Sequence, residues 1–112
     1  MALKRVILEM GTGNDLHGGD YTKAAVRAVN DAIHHSSLTM ISTLKVDPRS
    51  MQVDVTIGVQ APEQVDTEQV KAALPHGIVH VHVVEGGLDI PDEVLGDVAV
   101  IASAAIEVRL DL

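Results

Sequence analysis

The residues of this 112-residue chain best equipped for chemistry stand in one short run, Gly11-Thr-Gly-Asn-Asp-Leu-His-Gly18. Asp15 and His17 are two positions apart, so in an extended segment their side chains project to one side. The carboxylate then orients the imidazole, or the two hold one metal ion. An imidazole that titrates near neutrality is a natural general acid or base. The local alternative is that Asp15 caps a turn and His17 bonds within it. Gly11, Gly13, Gly18 and Gly19 are more glycines than a simple turn needs, and that favours a built site. Gly11 and Gly13 permit positive φ and close approach of a ligand. The amides of Gly11, Gly13 and Gly18 are candidate donors to an anionic or carbonyl oxygen where a strand feeds a helix. Glu9, Lys23 and Glu85 are candidate contacts for other polar groups of a substrate. Nucleotide binding is disfavoured, because Leu16 occupies the third-glycine position of a dinucleotide fingerprint and the G-K-[ST] ending of a Walker loop is missing.

A second constellation is His76, His80 and His82, which share one parity. His80-Val-His82 has the spacing by which a strand face presents two imidazoles to a metal, or simply a polar stripe to solvent. Glu85-Gly86-Gly87 ends the same segment, where ligand sites of α/β sheets often lie. Ser103 is either a small packing residue or a nucleophile in need of a base. With no cysteine there is no disulfide, no thiolate nucleophile and no Cys-ligated zinc.

These residues need elements to hold them. Residues 3 to 10 read as a buried strand ending at Gly11, followed by the glycine-rich segment as a loop. Asp20 is a good N-cap for a helix from about Tyr21 to His35, with Val26, Val29 and Ile33 beside Ala25 and Ala32 on its apolar side. His34 and His35 suit its C-terminal end. Residues 38 to 46 and 51 to 60 alternate around Asp47-Pro48-Arg49-Ser50 and predict an antiparallel hairpin. Asp66 with Gln69 resembles a capping box that opens a short helix through Leu74. Ile78 to Glu85 is a strand, Gly86 to Pro91 a loop, and Asp97 to Leu110 a long last strand whose even face is wholly apolar. The order β-α-β-β-α-β-β gives an α+β domain over residues 1–112, a mixed sheet with two helices on one face. It is similar to ferredoxin-like and chorismate-mutase-like arrangements.

Composition bounds the partners. Hydrophobic residues make up 46% of the chain, mean hydropathy is +0.23, and Tyr21 is the only aromatic. A domain this size leaves about a third of its unfolded surface uncovered, so self-association is expected to absorb the apolar excess. A net charge of −8 with scattered cations opposes nucleic acid and anionic membranes. No apolar run is long enough for a signal-peptide core or a membrane span, which makes the cytoplasm the expected location.

The pattern G-x-G-x-D-x-H-G at residues 11–18, with Thr22-Lys-Ala-Ala-Val-Arg27 and Val84-Glu-Gly-Gly-Leu88, resembles a Lin-type family of conserved hypothetical proteins. More distantly, the Gly-x-Gly segment followed by Asn-Asp is similar to one repeat of the ring-opening amidohydrolases, cyanuric acid hydrolase and barbiturase. That likeness implies a trimeric architecture with ligands between subunits. The serine and lysine dyads of those enzymes are not carried over: Leu8-Glu9-Met10 holds no lysine, and Ser103 matches only loosely. The expectation is therefore a homo-oligomer, as a trimer, with a small polar substrate between chains, His17 as general acid/base and Asp15 orienting it. Hydrolysis or proton transfer on a carbonyl or amide is the reaction class. The rival is a non-catalytic oligomer that binds a metal or metabolite through Asp15, His17, His80 and His82.

Overall fold

The computed structural model describes residues 2–34, 47–74 and 77–111. Their elements are β1 (Leu3–Asp15), α1 (Tyr21–His34), β2 (Gln52–Val59), α2 (Thr67–Ala72), β3 (Ile78–Glu85), β4 (Leu88–Asp92) and β5 (Asp97–Asp111), with single 3₁₀ turns at Pro48–Ser50 and Pro62–Gln64. The fold is α+β, a five-stranded mixed sheet with both helices on one face. Strand order is β1-β5-β2-β3, and β4 adds to β5 beyond the end of β2. β5 is the spine: β1 runs along one of its edges from Leu3↔Asp111 to Asp15↔Val100, while β2 and then β4 share the other. β2 and β3 are parallel, joined through α2, and every other pairing is antiparallel.

Period-2 alternation sets the layers. Val53, Val55, Ile57 and Val59 of β2 and Val100, Ala102, Ala104, Ile106, Val108 and Leu110 of β5 are buried beneath the helices. The opposite face carries no helix and leaves Leu8, Met10, Val84 and Leu88 exposed beside Ser103. α1 begins where Asp20 predicts, its Oδ1 accepting from Lys23 N at 3.0 Å. Asp66 likewise caps α2, accepting from the amides of Glu68 and Gln69 at 3.0 and 3.4 Å. The buried side of α1 is Ala24, Ala25, Ala28, Val29 and Ala32, with Val26 and Ile33 at its margins.

Two expectations change, and a third falls partly outside the described residues. β1 does not stop at Gly11 but runs on to Asp15, so the first half of the glycine-rich segment is strand. Of the expected hairpin, residues 38–46 lie outside the described residues; its second half forms in place as β2, which lies between β5 and β3. The Gly86–Pro91 loop is in fact a tight turn, with Gly87 at φ +62, leading into β4. Pro91 is tolerated there because β4 has one neighbour, and a proline on an edge strand need not break a ladder.

Candidate functional site

Gly11 and Gly13 explain why α1 lies so close to the sheet. A Cβ on Gly11 would stand 2.5 Å from Ala32 N and 2.6 Å from Ala28 O; one on Gly13 would stand 2.3 Å from Ala28 N and 2.4 Å from Ala24 O. Neither glycine has positive φ, the expectation for both. Their service is helix packing against a strand without side chains, matched by the alanines of α1. Thr12 N, pointing away from β5, donates to Asp31 Oδ2 at 2.9 Å. The alternation of an antiparallel ladder then turns the amides of Gly11 and Gly13 inward to β5, so neither is offered to a ligand.

After Asp15 the chain turns through Leu16–Gly19, with Gly18 at φ +94 and Gly19 at φ +60. This turn brings His17 to a residue eighty positions away. His17 Nδ1 lies 3.0 Å from Asp97 Oδ2, and Asp97 Oδ1 accepts from Gly18 N at 2.9 Å and Val98 N at 2.8 Å. The amides of Gly18 and Val98, followed by the imidazole, hold the Asp97 carboxyl below the usual carboxylate range. The His17 side chain is 79% exposed, and Nε2 has no partner among the described residues. Asp97 thus holds the position expected of Asp15.

Asp15 faces the other way. It is 5% exposed, accepts from Asp20 N at 3.0 Å and lies 3.8 Å from Lys23 Nζ and 3.7 Å from Arg27. It ties the turn to the start of α1. Beside it, Tyr21 donates to Asp89 Oδ2 at 2.5 Å, and that hydrogen bond to a carboxylate, with burial, pushes the phenol up to about 12. This bond fastens α1 to β4.

The remaining candidates are dispersed. Glu9 is half-buried on the helix side of β1, six residues and so about 20 Å along the strand from Asp15. Glu85 is exposed at the end of β3. Gly18's amide is taken by Asp97. His80 and His82 stand exposed on the helix-free face of β3, while His76 lies outside the described residues. Among the described residues, no group of three or more His, Asp or Glu is arranged to hold a metal ion. Ser103, on the helix-free face, is also about 20 Å along β5 from Asp97 and cannot serve as nucleophile to His17.

What the structure does assemble is a depression of about 530 Å³ between the turn and the β4–β5 hairpin. His17, Asp92, Glu93 and Asp97 form its polar part; Leu16, Ile90, Pro91, Leu95, Val98 and Ala99 form its apolar part. Sequence reasoning missed Asp97, which carries no local signal beyond being the first residue of a strand after Gly96.

Residues 5–108 match the model of a family described as conserved hypothetical protein, Lin0512. The chain belongs to the Lin0512 family. A similar solved structure is that of an FtsZ-like protein of unknown function from Nostoc punctiforme PCC 73102, 38% identical, with a TM-score of 0.87 and coverage of 100% of this chain and 99% of that one. No curated protein matches the chain. The family match covers residues 5–108, and the fold shared with the Nostoc protein of unknown function covers the whole chain. Among the described residues, no helix is long and apolar enough to cross a membrane.

Proposed function

We propose that the His17–Asp97 pair is the acid/base corner of a small-molecule site in a cytoplasmic homo-oligomer, assembled as a trimer whose neighbouring chain closes the depression. The observation that carries this reading is a carboxylate held by two backbone amides, aligned on Nδ1 of an exposed imidazole that lines an open depression. Such a carboxylate fixes tautomer and orientation and stabilises the imidazolium formed when Nε2 accepts a proton. Exposed Leu16, Ile90, Val94 and Leu95 around the depression support closure by another chain. The residues lining the depression include no Ser, Thr, Cys or Lys. The reaction class is therefore proton transfer on a carbonyl or amide compound, or its hydrolysis by an activated water, without an acyl-enzyme on this chain. Asp15 and Lys23 act at one remove, by fixing the turn that carries His17.

The same absence of a hydroxyl, thiol or amine nucleophile from the lining supports a second reading, retention of a metabolite without turnover. A thermal-shift and turnover screen with small carbonyl and amide compounds tests both, on the wild type, His17→Gln and Asp97→Asn. Responses abolished in His17→Gln and weakened at least tenfold in Asp97→Asn are expected. Equal responses in all three proteins would remove this site from consideration, and binding without consumption of any compound would select the second reading.

A further inference from the structure

The sheet edges formed by β1 and β3 are treated differently. At the C-terminal end of β1, α1 side chains take two of the outward groups: Asp31 accepts from Thr12 N at 2.9 Å, and Arg27 donates to Asn14 O at 2.7 Å. Such capping blunts an edge against further strands. Along β3 the register is fixed by Ile78 N donating to Met51 O and Gly86 N donating to Val59 O. Even-numbered residues of β3 therefore face β2, and the N–H and C=O of Val79, Val81 and Val83 face outward. Among the described residues no side chain caps them.

The sequence of this edge, Ile78-Val-His-Val-His-Val-Val84, reads nearly the same from either end about Val81. We propose that β3 is a two-fold interface that pairs antiparallel with β3 of a second copy of this chain, centred on Val81. Rotation about an axis through that centre sets Val79 against the partner's Val83, Val81 against the partner's Val81, and His80 against the partner's His82. The outward-facing residues meet only outward-facing residues, giving about six backbone hydrogen bonds, two for each hydrogen-bonded pair. Like side chains meet on each face: β-branched pairs under the helices and imidazole pairs on the helix-free side, of the kind that stabilise adjacent strands.

The rim fits the same operation. Glu68 and Lys71 of α2 flank the outer side of β3 in a depression of about 230 Å³ shared with His80 and His82. A two-fold rotation brings the acid of one copy toward the base of the other. A continuous sheet through both subunits results, with the β1 edges left outermost. This interface is independent of the acid/base site, and combined with a three-fold contact elsewhere it would give six chains.

Sedimentation velocity and light scattering on the full chain test it. Val81→Pro removes one outward N–H and obstructs the edge while leaving the bonds to β2, which come from even-numbered residues. The double variant His80→Glu/His82→Glu changes only exposed side chains and opposes carboxylates across the axis. The wild type is expected to contain an even number of chains, and both variants to halve its mass with unchanged circular dichroism. A wild type that is monomeric or odd-numbered, or one whose mass both variants retain, overturns the proposal.

Discussion

The glycine-rich segment between Gly11 and Gly19 divides into two halves that share a composition and differ in physics. In the first, Gly11 and Gly13 lie in extended backbone and matter for what they lack, a Cβ that would strike α1. In the second, Gly18 and Gly19 adopt a backbone conformation that L side chains rarely do; a Cβ on Gly18 would meet nothing nearer than 3.8 Å, and one on Gly19 would press only the Val98 side chain. One half fixes the distance between layers, and the other aims an imidazole. A glycine-rich run after a strand is therefore not one device, and its parts should fail differently when altered.

The largest effect is expected at Gly13. Alanine there must push α1 off the sheet or collapse onto Ala24 and Ala28, so Gly13→Ala should cost at least about 3 kcal/mol in urea denaturation, the upper range for overpacked cores. Gly18→Ala meets no atom closer than 3.8 Å and incurs only the left-handed backbone penalty, about 1 kcal/mol. If the two losses were equal, the division between halves would collapse.

Acid should affect the second half selectively. The folded pKa of Asp97 lies below its unfolded value, so its contribution to stability is present above the unfolded carboxylate range and is lost as pH falls through the folded value. In melting curves below about pH 4, Asp97→Asn should lose less stability than the wild type. The smallest thermodynamic change belongs to His17→Gln, below about 0.5 kcal/mol because the ring is largely exposed. Its measurable consequence is the loss of ligand response described above.

The sequence spoke clearly wherever a local signal existed. Asp20 and Asp66 announced the two helices, because a cap is a short-range device between a side chain and amides two or three residues on. Alternation in β2 and β5 announced which side would be covered. It could not announce neighbours, since a valine that fits beneath a helix fits there whichever strand lies alongside; the places of β5 and β3 on either side of β2 had no local signal. Gly11 and Gly13 were misjudged for a related reason: glycine permits both a turn and a close approach, and the alanines that decide between them lie on α1. The orienting carboxylate was hidden by distance along the chain. Asp15, two residues from His17, was the visible choice, but the turn at Gly18 and Gly19 directs the ring away from it and toward Asp97.

The position of β5 bears on how the molecule is made. It follows β1, β2 and β4 in the chain yet is the strand to which each of them is hydrogen-bonded. During synthesis those strands leave the ribosome before their common neighbour exists, with only the parallel β2–β3 pair able to form. Until β5 emerges the nascent chain must keep these apolar strands apart, with edges that have no partner yet.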